Sequence, residues 1–320
     1  MKLASIEIIQ DIQPHSNADT LSIASVAGYK AIVKNGSFQK GDKCVFIQPD
    51  TTLPNLPWAT FYKSKSNRVR AIRLRNVWSM GLVESLLNVG LSGDFDEGQE
   101  VSELLGIQKY EPPIPQDLSA KGNLPFGIFK TDESRYQSID VPYGEIVDIS
   151  LKLDGSSASY AYKNGEFAIC SRSLEIKPDC ENNYTRIAAK YDIKVKLSKF
   201  CQENKANLCI RGELTGCNIQ NFKVNPMAGT PLDFYVFSVL NLDTLRYEGK
   251  ESPFYFTKVA AELNLKSVPI LEENAVLTPA LIKKYDEELE KIDGKYLEGV
   301  VIKGKDFSFK AINKFYDSLK

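Results

Sequence analysis

The sequence predicts an α+β protein in which a small all-β module precedes a larger domain of antiparallel sheets with helices. A length of 320 residues suggests two domains. Short apolar runs separated by turn residues fill about the first hundred positions, a spacing typical of a small barrel or sandwich. From about residue 128, strand-like runs alternate with helix-like ones, which indicates an α+β domain.

The N-terminal module, residues 1–110, is predicted to be a small β-barrel. Its apolar runs are LASIEII, TLSIASVAG, YKAIVK and KCVFIQP, and PHSNAD, NGSFQKGD and PDTTLPNLP supply turns. An OB-type barrel is the preferred interpretation of this pattern. Four prolines and two glycines between Pro112 and Gly127 interrupt helical and strand periods. Residues 111–127 are therefore predicted to link the two domains.

The second domain, residues 128–320, is predicted to combine strands and helices. Strand-like runs are EIVDISLKL, SASYAYK, EFAICSRS, NLCIRGEL, DFYVFSVLNL, GVVIKG and FSFKAI. Helices are predicted in ENNYTRIAAKYD, VKLSKFCQENK, FYFTKVAAELN and TPALIKKYDEELEKI. In the last helix, Thr278 is expected to be the N-cap and Pro279 the first residue. The charged residues of its expected solvated face stand four apart: Lys283 and Glu287, Lys284 and Glu288.

Composition and charge exclude several classes of protein. Forty basic residues nearly balance forty-one acidic ones, so any nucleic-acid site must be a local patch. The N-terminal segment is too interrupted for a signal peptide, and no apolar run reaches membrane-spanning length. These features predict a cytoplasmic or nuclear protein that does not associate with membranes. No feature indicates an obligate protein partner.

The six cysteines and the single histidine argue against zinc and histidine chemistry. No C-x-x-C pair is present, so zinc-site spacing is absent and reduced, packed thiols are predicted. His15 lies in the loop-like stretch QPHSNADTL, where a turn or cap role is favoured.

The stretch LKLDGSS places Lys152 two residues before an Asp-Gly dipeptide, which is a hairpin or turn signal. Taken alone, this lysine is most simply a surface residue beside a turn. The charged and aromatic residues that follow also have ordinary interpretations as solvent-facing, core or ion-paired side chains. In chain order they are Arg172 in CSRS, Glu213 in IRGELTG, Phe237 in DFYVFSV, Glu298 and Lys303 in LEGVVIK, and Lys310 in FSFKAIN.

In this order, the motifs resemble those of the covalent nucleotidyltransferase superfamily, which contains ATP-dependent polynucleotide ligases and mRNA capping enzymes. The resemblance covers about residues 128–316 and implies a nucleotidyltransferase (adenylation) domain, unrelated to ATP-grasp enzymes, that uses ATP with Mg²⁺ or Mn²⁺. It implies that Lys152 is the nucleophile that becomes lysyl-AMP. Asp154 would help to orient this lysine and its metal.

The resemblance also implies roles for the other residues around the nucleotide. Arg172 would lie near the ribose and phosphate, and Glu213 would engage the ribose or waters on the metal. Phe237 would stack on the purine without reading its edges. Lys303 and Lys310 would bind the nucleotide phosphates.

The residue types suit this chemistry. A free lysine titrates near pH 10.4, so the attacking amine is a minor species at neutral pH. Desolvation and neighbouring positive charge lower a lysine pKa, and Lys303, Lys310 and a bound Mg²⁺ or Mn²⁺ could supply that charge. Hard divalent ions take oxygen ligands, which the predicted metal ligands Asp154, Glu213 and Glu298 would provide.

The last motif departs from the family pattern. Ligases usually carry a Lys-x-Lys pair there, whereas Ser308 stands two residues before Lys310. One cation is therefore missing or replaced by Lys303, Lys305 or Lys314. This departure affects the details of phosphate binding and leaves the assignment of the nucleophile unchanged.

Further features indicate a branch of the superfamily. The sequence ends ten residues beyond Lys310 and so lacks room for the C-terminal OB domain of DNA ligases and capping enzymes, which points to RNA ligases. The pieces PHSNAD, FQKGDKCVFIQPD, RLRNVWSMGLV and FKTDESRYQ resemble a clade of nick-sealing ATP-dependent RNA ligases with an N-terminal OB module. Arg135, in FKTDESRYQ, is an expected contributor to the site.

A basic stretch is predicted to contact nucleic acid. From Lys63 to Arg75, KSKSNRVRAIRLR carries six basic residues and no acid. In an extended segment Arg68 and Arg70 would share one face, as would Arg73 and Arg75. Such cations bind phosphates in a salt-sensitive way, while a charged, edge-protecting strand is the alternative.

The sequence therefore predicts an ATP-dependent RNA ligase that seals 3′-OH/5′-phosphate breaks through lysyl-AMP and a 5′-adenylylated strand (AppN). Its predicted partner is a nicked duplex with RNA on the 3′-OH strand. A DNA nick ligase, a GTP-dependent guanylyltransferase and a non-catalytic nucleic-acid-binding protein remain alternatives. The missing C-terminal domain argues against the first two, and Lys152 with the acidic set Asp154, Glu213 and Glu298 argues against the third.

Overall fold

The protein is described by a computed structural model that covers residues 2–59, 67–75, 77–110, 119–220 and 224–319. The chain forms two compact units. The first unit comprises Met1–Pro113, Ser134–Val141 and Asp317–Leu319, and the second comprises Ile114–Glu133, Pro142–Tyr316 and Lys320. Part of the predicted linker, residues 111–118, lies outside the described residues.

The first unit is built from short antiparallel strands that pair in the orders β1-β5-β10, β2-β3-β4, β11-β6-β7 and β8-β9. Their bounds are β1 (Ala4–Ile8), β2 (Asp11–Pro14), β3 (Leu21–Val26), β4 (Tyr29–Lys34), β5 (Lys43–Ile47), β6 (Thr51–Thr52), β7 (Arg68–Val69), β8 (Ile72–Leu74), β9 (Val77–Ser79), β10 (Leu82–Glu84) and β11 (Gln108–Lys109). A 3-10 turn over Tyr136–Ser138 also belongs to this unit. The four apolar runs predicted as strands form β1, β3, β4 and β5.

Strand β5 is buried on both faces because it lies between β1 and β10. Val45 and Ile47 pack into one apolar cluster, and Cys44 and Phe46 pack into the other. Alternate side chains of a strand point to opposite faces, so this single strand joins both cores of the unit.

His15 is held by backbone contacts, and four of the six cysteines are packed thiols, as the sequence predicts, whereas Cys217 is exposed. The buried His15 ring accepts from the N–H of Asn17 at 3.0 Å through Nδ1. Its Nε2 lies 3.2 Å from the carbonyl oxygen of Leu74. All six cysteines lie in the described part of the chain and are free thiols, and four of them are buried: Cys44, Cys170, Cys201 and Cys209.

The second unit contains a large sheet in the order β12-β16-β15-β14-β17-β18-β19, and β20 pairs with β18 in parallel. A smaller antiparallel sheet has the order β21-β13-β24-β25, and β22 pairs with β23. The bounds are β12 (Ala120–Asn123), β13 (Ile146–Leu151), β14 (Ser156–Lys163), β15 (Glu166–Cys170), β16 (Leu174–Ile176), β17 (Leu208–Thr215), β18 (Asp233–Asn241), β19 (Arg246–Tyr247), β20 (Lys266–Ser267), β21 (Ile270–Val276), β22 (Lys291–Ile292), β23 (Lys295–Tyr296), β24 (Gly299–Lys303) and β25 (Ser308–Ile312). Each strand-like run predicted for this domain forms a strand.

Among the described residues, five α-helices begin in the second unit, and the first three contribute buried residues to its main core. The five helices are α1 (Asn183–Lys190), α2 (Ile193–Asn204), α3 (Phe256–Glu262), α4 (Pro279–Lys283) and α5 (Lys314–Leu319). Asn182 caps α1 by accepting from the backbone N–H groups of Tyr184 and Thr185. Ile187 of α1, Leu197 of α2 and Val259 of α3 are buried in the cluster that includes strand residues of the large sheet.

The fourth predicted helix is shorter than expected. Thr278 caps α4 as predicted, and its side chain accepts from the N–H of Leu281 at 3.1 Å. The α-helix ends at Lys283, however, and a π-helical turn follows over Lys284–Glu288. The four charged residues of the predicted solvated face are exposed, as expected, but π spacing aligns residues five apart, so they do not pair at four-residue spacing. The observed pairs are Lys283 with Glu288 at 3.0 Å and Lys284 with Glu272 at 2.7 Å.

Within the described residues, none of the helices has the length and apolar character needed to cross a membrane.

Candidate active site

Lys152 lies where the chain passes between the two sheets of the second unit. Strand β13 belongs to the smaller sheet and β14 to the larger one, so the Asp-Gly turn connects two sheets and does not form a hairpin. Gly155 makes this passage possible. A Cβ at this position would lie 2.1 Å from the carbonyl oxygen of Leu214 and 2.9 Å from Cγ of Glu213. The turn can therefore approach β17 closely only because the residue is glycine.

Three carboxylates act on the amine of Lys152. Its Nζ donates to Oε1 of Glu298 at 2.9 Å. The backbone N–H of Lys152 donates to the carbonyl oxygen of Gly299 at 3.0 Å, which fixes the residue beside β24. Glu213 and Asp154 contribute through their charges. The structure thus brings together the predicted nucleophile and the three acidic residues predicted to hold a metal.

These carboxylates are held inside the unit. Asp154 is buried and accepts from the hydroxyl of Tyr316 at 2.7 Å. Glu298 is also buried, and Glu213 is half-buried and accepts from the hydroxyl of Ser157 at 3.3 Å. The interpretation of Glu213 and Glu298 as solvent-facing strand residues is therefore wrong.

The charges around Lys152 raise its pKa above the ordinary value. Burial opposes the charged amine, but Glu298, Glu213 and Asp154 outweigh that effect. The lowering of this pKa that is expected from Lys303, Lys310 and a bound metal stays a prediction, because the charges that act on the amine here are carboxylates. Burial raises the pKa of Glu213 to about 8, with Lys152 opposing the shift and the other two carboxylates reinforcing it.

Arg172 and Lys310, both predicted to lie near phosphates, meet at one carboxylate. Nη2 of Arg172 lies 3.4 Å from Oδ2 of Asp132, and Nζ of Lys310 lies 3.3 Å from Oδ1 of the same side chain. Arg172 follows β15 in the large sheet, whereas Lys310 lies on β25 in the smaller sheet. Asp132 therefore joins cations from two sheets.

Lys303 also connects the two sheets. Its Nζ donates to the backbone carbonyl of Phe237 on β18 and lies 4.8 Å from the centre of the Phe256 ring. Burial lowers the pKa of Lys303 to about 8, while Glu133 opposes this shift. The Phe237 side chain is half-buried and packs against the main core.

Ser308 occupies the position where ligases usually carry the first lysine of the last motif. Its hydroxyl donates to Oε2 of Glu133 at 2.7 Å. Of the lysines expected to replace that cation, Lys314 lies 3.4 Å from Asp286 and Lys305 is exposed.

Arg135, an expected contributor to the site, lies in the first unit, so its place in the site stays a prediction. The guanidinium of Arg135 is buried, donates to Asp50 at 2.8 Å and lies 3.2 Å from Asp317. Arg68 lies 2.7 Å from the other oxygen of Asp50 and stacks 4.1 Å from the centre of the Tyr110 ring. Two of the predicted site arginines therefore share one carboxylate.

The other arginines of the basic stretch are in different surroundings. Arg70 is exposed. Arg75 donates to the backbone carbonyl of Asn17 at 3.2 Å. The side chain of Arg73 and residues 60–66, which include Lys63 and Lys65, lie outside the described part of the structure.

The sequence reasoning missed several residues of this site. Tyr316 and Ser157 hold two of the carboxylates, and Asp132 and Glu133 contact residues of the last motif. Asp132 and Glu133 lie in FKTDESRYQ, where only Arg135 was singled out. The sequence pointed to Asp132 and Glu133 only through their place in FKTDESRYQ, because their partners Lys310 and Ser308 are more than 170 positions away.

The carboxylate oxygens of Asp154, Glu213 and Glu298 are the type of ligand that divalent cations such as Mg²⁺ bind. Among the described residues, no three acidic, thiol or imidazole side chains are arranged as a ready-made metal cluster. Mg²⁺ is usually held by one or two carboxylates together with substrate phosphates and water. The oxygens of Asp154, Glu213 and Glu298 therefore fit a cation that enters with a nucleotide better than a preformed metal site.

Comparison with known families identifies the class of protein. The family described as RNA ligase matches residues 145–315, more than half of the chain, and an OB-fold domain family matches residues 3–86. The chain therefore belongs to the RNA ligase family. The predicted enzyme class and the predicted α+β fold with an N-terminal OB-fold domain are confirmed.

Solved structures of RNA ligase from Naegleria gruberi are similar to the whole chain. The structure that contains PPi is 29% identical in sequence to this chain and superimposes with a TM-score of 0.80. The match covers 99% of this chain and 98% of the Naegleria chain. Variants with AMP and Mn and with ATP and Mn are each 28% identical at the same coverage, with a TM-score of 0.81. Comparison with curated proteins gives no match.

Proposed function

We propose that this chain is an ATP-dependent RNA ligase that joins a 3′-OH to a 5′-phosphate through AMP bound covalently to Lys152. The observation that carries the proposal is the position of Lys152, whose side chain is 28% exposed. Its amine pairs with Glu298 and is influenced by the charges of two further carboxylates. The similar Naegleria structures contain ATP, AMP, Mn and PPi, which are the ligands that this reaction would use.

In the first step, Nζ of Lys152 attacks the α-phosphorus of ATP. A P–N bond forms, the bond from the α-phosphorus to the bridging oxygen breaks, and pyrophosphate leaves. The amine loses a proton in this step, which its carboxylate neighbours disfavour while they are uncompensated. A divalent cation held by Asp154, Glu213 and Glu298 would offset their charge and stabilise the negative charge of the phosphates.

In the next steps, AMP moves from the enzyme to the nucleic acid. An oxygen of the 5′-phosphate attacks the α-phosphorus and breaks the P–N bond, which yields the AppN strand and frees Lys152. The 3′-OH then attacks the 5′-phosphorus, and AMP leaves as the phosphodiester forms. Lys152 acts only in the first two of these three steps.

The remaining predicted residues would bind the nucleotide. The charged groups of Arg172 and Lys310 lie 3.4 and 3.3 Å from the carboxylate of Asp132. They therefore converge on a point that an anion can occupy. Lys303 is positioned beside Phe237 by its bond to that residue's carbonyl. We propose that these cations bind the ATP phosphates and that Phe237 stacks on the purine.

The first experiment uses α-labelled ATP and a divalent cation. Lys152→Ala is expected to fold normally and to form no covalent adduct, because the attacking amine is gone. Lys163→Ala is the matched control, since Lys163 lies in the same unit and pairs with Asp243 at 3.6 Å. This control is expected to label at the rate of the unchanged protein.

The outcomes separate the proposed activity from its alternatives. An adduct with labelled GTP in place of ATP would indicate a guanylyltransferase, and no adduct with either nucleotide would indicate a binding protein. Labelling that persists in Lys152→Ala would place the nucleophile elsewhere. A nicked duplex with RNA at the 3′-OH should be sealed faster than an all-DNA nick.

The nucleic-acid partner is proposed to contact the first unit through Arg70. Arg70 is exposed, whereas Arg68 is engaged by Asp50. Arg70→Ala should weaken binding to nicked RNA and lower the slope of log affinity against log salt by about 1. Lys34→Ala, another exposed cation of the first unit, serves as the control. Unchanged binding by Arg70→Ala would assign the basic stretch to a structural role.

A further inference from the structure

Asp132 occupies the point where the two predicted phosphate-binding cations converge. Each of its carboxylate oxygens faces one cation, Oδ2 towards Arg172 at 3.4 Å and Oδ1 towards Lys310 at 3.3 Å. A phosphate group also presents several oxygens to separate cations. The carboxylate of Asp132 therefore presents negatively charged oxygens to the same two cations that a phosphate would contact.

The neighbouring residue reinforces this arrangement. Ser308 and Lys310 stand two apart on β25, so their side chains lie on the same face of the strand. Glu133 accepts from Ser308 at 2.7 Å while Asp132 faces Lys310. Two consecutive carboxylates thus cover the face of β25 that carries the last motif.

A buried arginine anchors the segment that carries these carboxylates. Arg211 on β17 is 1% exposed and donates to the backbone carbonyl of Phe129, three residues before Asp132. The guanidinium lies 5.2 Å from the centre of the Phe129 ring, and it donates to the hydroxyl of Tyr247 at 2.8 Å. The start of the segment is therefore fixed to the large sheet.

The two ion pairs that Asp132 forms with Arg172 and Lys310 are weak by comparison. The side chain of Asp132 is 21% exposed, that of Arg172 is 32% exposed, and both separations exceed 3.2 Å. Partly exposed ion pairs at such distances stabilise a protein little, whereas charge-assisted hydrogen bonds to phosphate are shorter and stronger. A nucleotide phosphate can therefore compete with this carboxylate for Arg172 and Lys310.

We propose that Asp132 is an internal counter-ion that competes with the nucleotide phosphates for Arg172 and Lys310 and thereby sets the affinity for ATP. The inference rests on the proposed function, which assigns these two cations to the phosphates. It adds a residue that limits nucleotide affinity. When ATP binds, the carboxylate of Asp132 separates from Arg172 and Lys310. When pyrophosphate departs, it pairs with these two cations again.

The test measures ATP binding by calorimetry in the Lys152→Ala background, where no adduct can form. Asp132→Asn keeps the shape of the side chain and removes its charge, so it should tighten ATP binding about three- to fivefold. Adenosine, which has no phosphates, should bind Asp132→Asn and the Asp132 protein equally well. Asp243→Asn is the matched control, because it removes the same charge from another lysine-paired aspartate of the second unit.

Each outcome has a distinct meaning. Equal or weaker ATP binding by Asp132→Asn would overturn the inference, and weaker binding would show that Asp132 positions the cations. Lys310→Ala separates this failure from a failure of the proposed function. If Lys310→Ala weakens ATP binding and Asp132→Asn does not tighten it, only the competing role is wrong. If Lys310→Ala leaves ATP binding unchanged, the phosphate assignment is wrong and the inference is wrong with it.

Discussion

At the scale of single residues, the chemical state of Lys152 follows from the side chains that surround it. Glu298 accepts from its amine at 2.9 Å, and Glu213 and Asp154 add negative charge, so the proton is held more tightly than in a free lysine. If Lys152 is the nucleophile, as proposed, positive charge that enters with the substrate would offset these carboxylates and favour loss of the proton.

Tyr316 is predicted to position Asp154. The hydroxyl donates to Oδ2 of Asp154 at 2.7 Å, and both side chains are buried. Tyr316→Phe should lower the free energy of unfolding by about 1–3 kcal/mol, because a buried carboxylate loses a hydrogen bond. If Asp154 orients Lys152, the rate of adduct formation should also fall about tenfold, which corresponds to ~1.4 kcal/mol.

The two readouts are measured separately, unfolding by circular dichroism and adduct formation at a temperature where the variant is fully folded. Tyr160→Phe is the control, because the hydroxyl of the buried Tyr160 donates to the backbone carbonyl of Tyr184 at 2.9 Å, so this variant loses a hydrogen bond that involves no carboxylate. A stability loss without a slower adduct rate would leave Tyr316 with a purely structural role.

The ordered motifs predicted which residues gather around Lys152, but not what holds them. Tyr316 contacts a residue 162 positions away, and Glu298 pairs with one 146 positions away. Glu298 was found because the motif order points to it. Tyr316 was missed because one tyrosine near the end of a sequence has no distinguishing neighbour.

At the scale of elements, strand prediction succeeded where alternation and turn residues agreed. The runs that became β13, β14, β17 and β18 carry β-branched or aromatic residues and end at polar or glycine-containing stretches. Prediction failed beyond Lys283, where the four-apart charge pattern suggested a continuing α-helix. The buried contacts of Tyr285 and Asp286 in the π-helical turn decided that region, and tertiary packing overrode the local pattern.

The Asp-Gly turn is predicted to be the element most sensitive to a single methyl group. Gly155→Ala would place a Cβ 2.1 Å from the carbonyl oxygen of Leu214, and backbone atoms at that distance must shift. The variant should lose several kcal/mol of stability, about 2–4, and form little or no adduct, because the displaced turn carries Lys152 and Asp154.

The control is Gly249→Ala, also in the second unit, where nothing lies within 4 Å of the added Cβ. This variant should unfold at the same denaturant concentration as the unchanged protein and label normally. Circular dichroism and the ATP-labelling assay provide the two measurements. A stable, active Gly155→Ala protein would mean that the turn approaches β17 less closely than described.

At the scale of the whole molecule, charged residues join distant parts of the chain within the first unit. Asp50 accepts from both Arg68 and Arg135, and Arg135 also lies 3.2 Å from Asp317. Two short segments that the sequence assigned to the second domain, residues 134–141 and 317–319, belong to this unit. The carboxylate of Asp50 thus stabilises a unit built from three separate stretches of chain.

Asp50→Asn is predicted to destabilise the first unit by about 2–3 kcal/mol, because it leaves the buried Arg135 with less compensating charge. Asparagine tolerates the positive φ of 65° at this position, so the backbone need not change. Both tryptophans, Trp58 and Trp78, lie in the first unit, and their fluorescence during urea unfolding reports on that unit.

Asp94→Asn is the control for this prediction. Asp94 forms an exposed pair with Lys43 at 3.7 Å, and removal of such a pair should change stability by less than about 0.5 kcal/mol. Equal unfolding midpoints for Asp50→Asn and Asp94→Asn would show that Asp50 contributes no more than a surface charge.

The sequence by itself determined the class of fold and most of the strands, because strand periodicity and turn residues are local properties. The order of its motifs predicted the candidate site residues from Lys152 to Lys310. The tertiary structure alone decided which carboxylates surround Lys152, the contact of Tyr316 with Asp154 and the convergence of Arg172 and Lys310 on Asp132. Those features depend on distances between side chains from different sheets. Coulombic and hydrogen-bond energies follow these distances, and separation along the chain does not encode them.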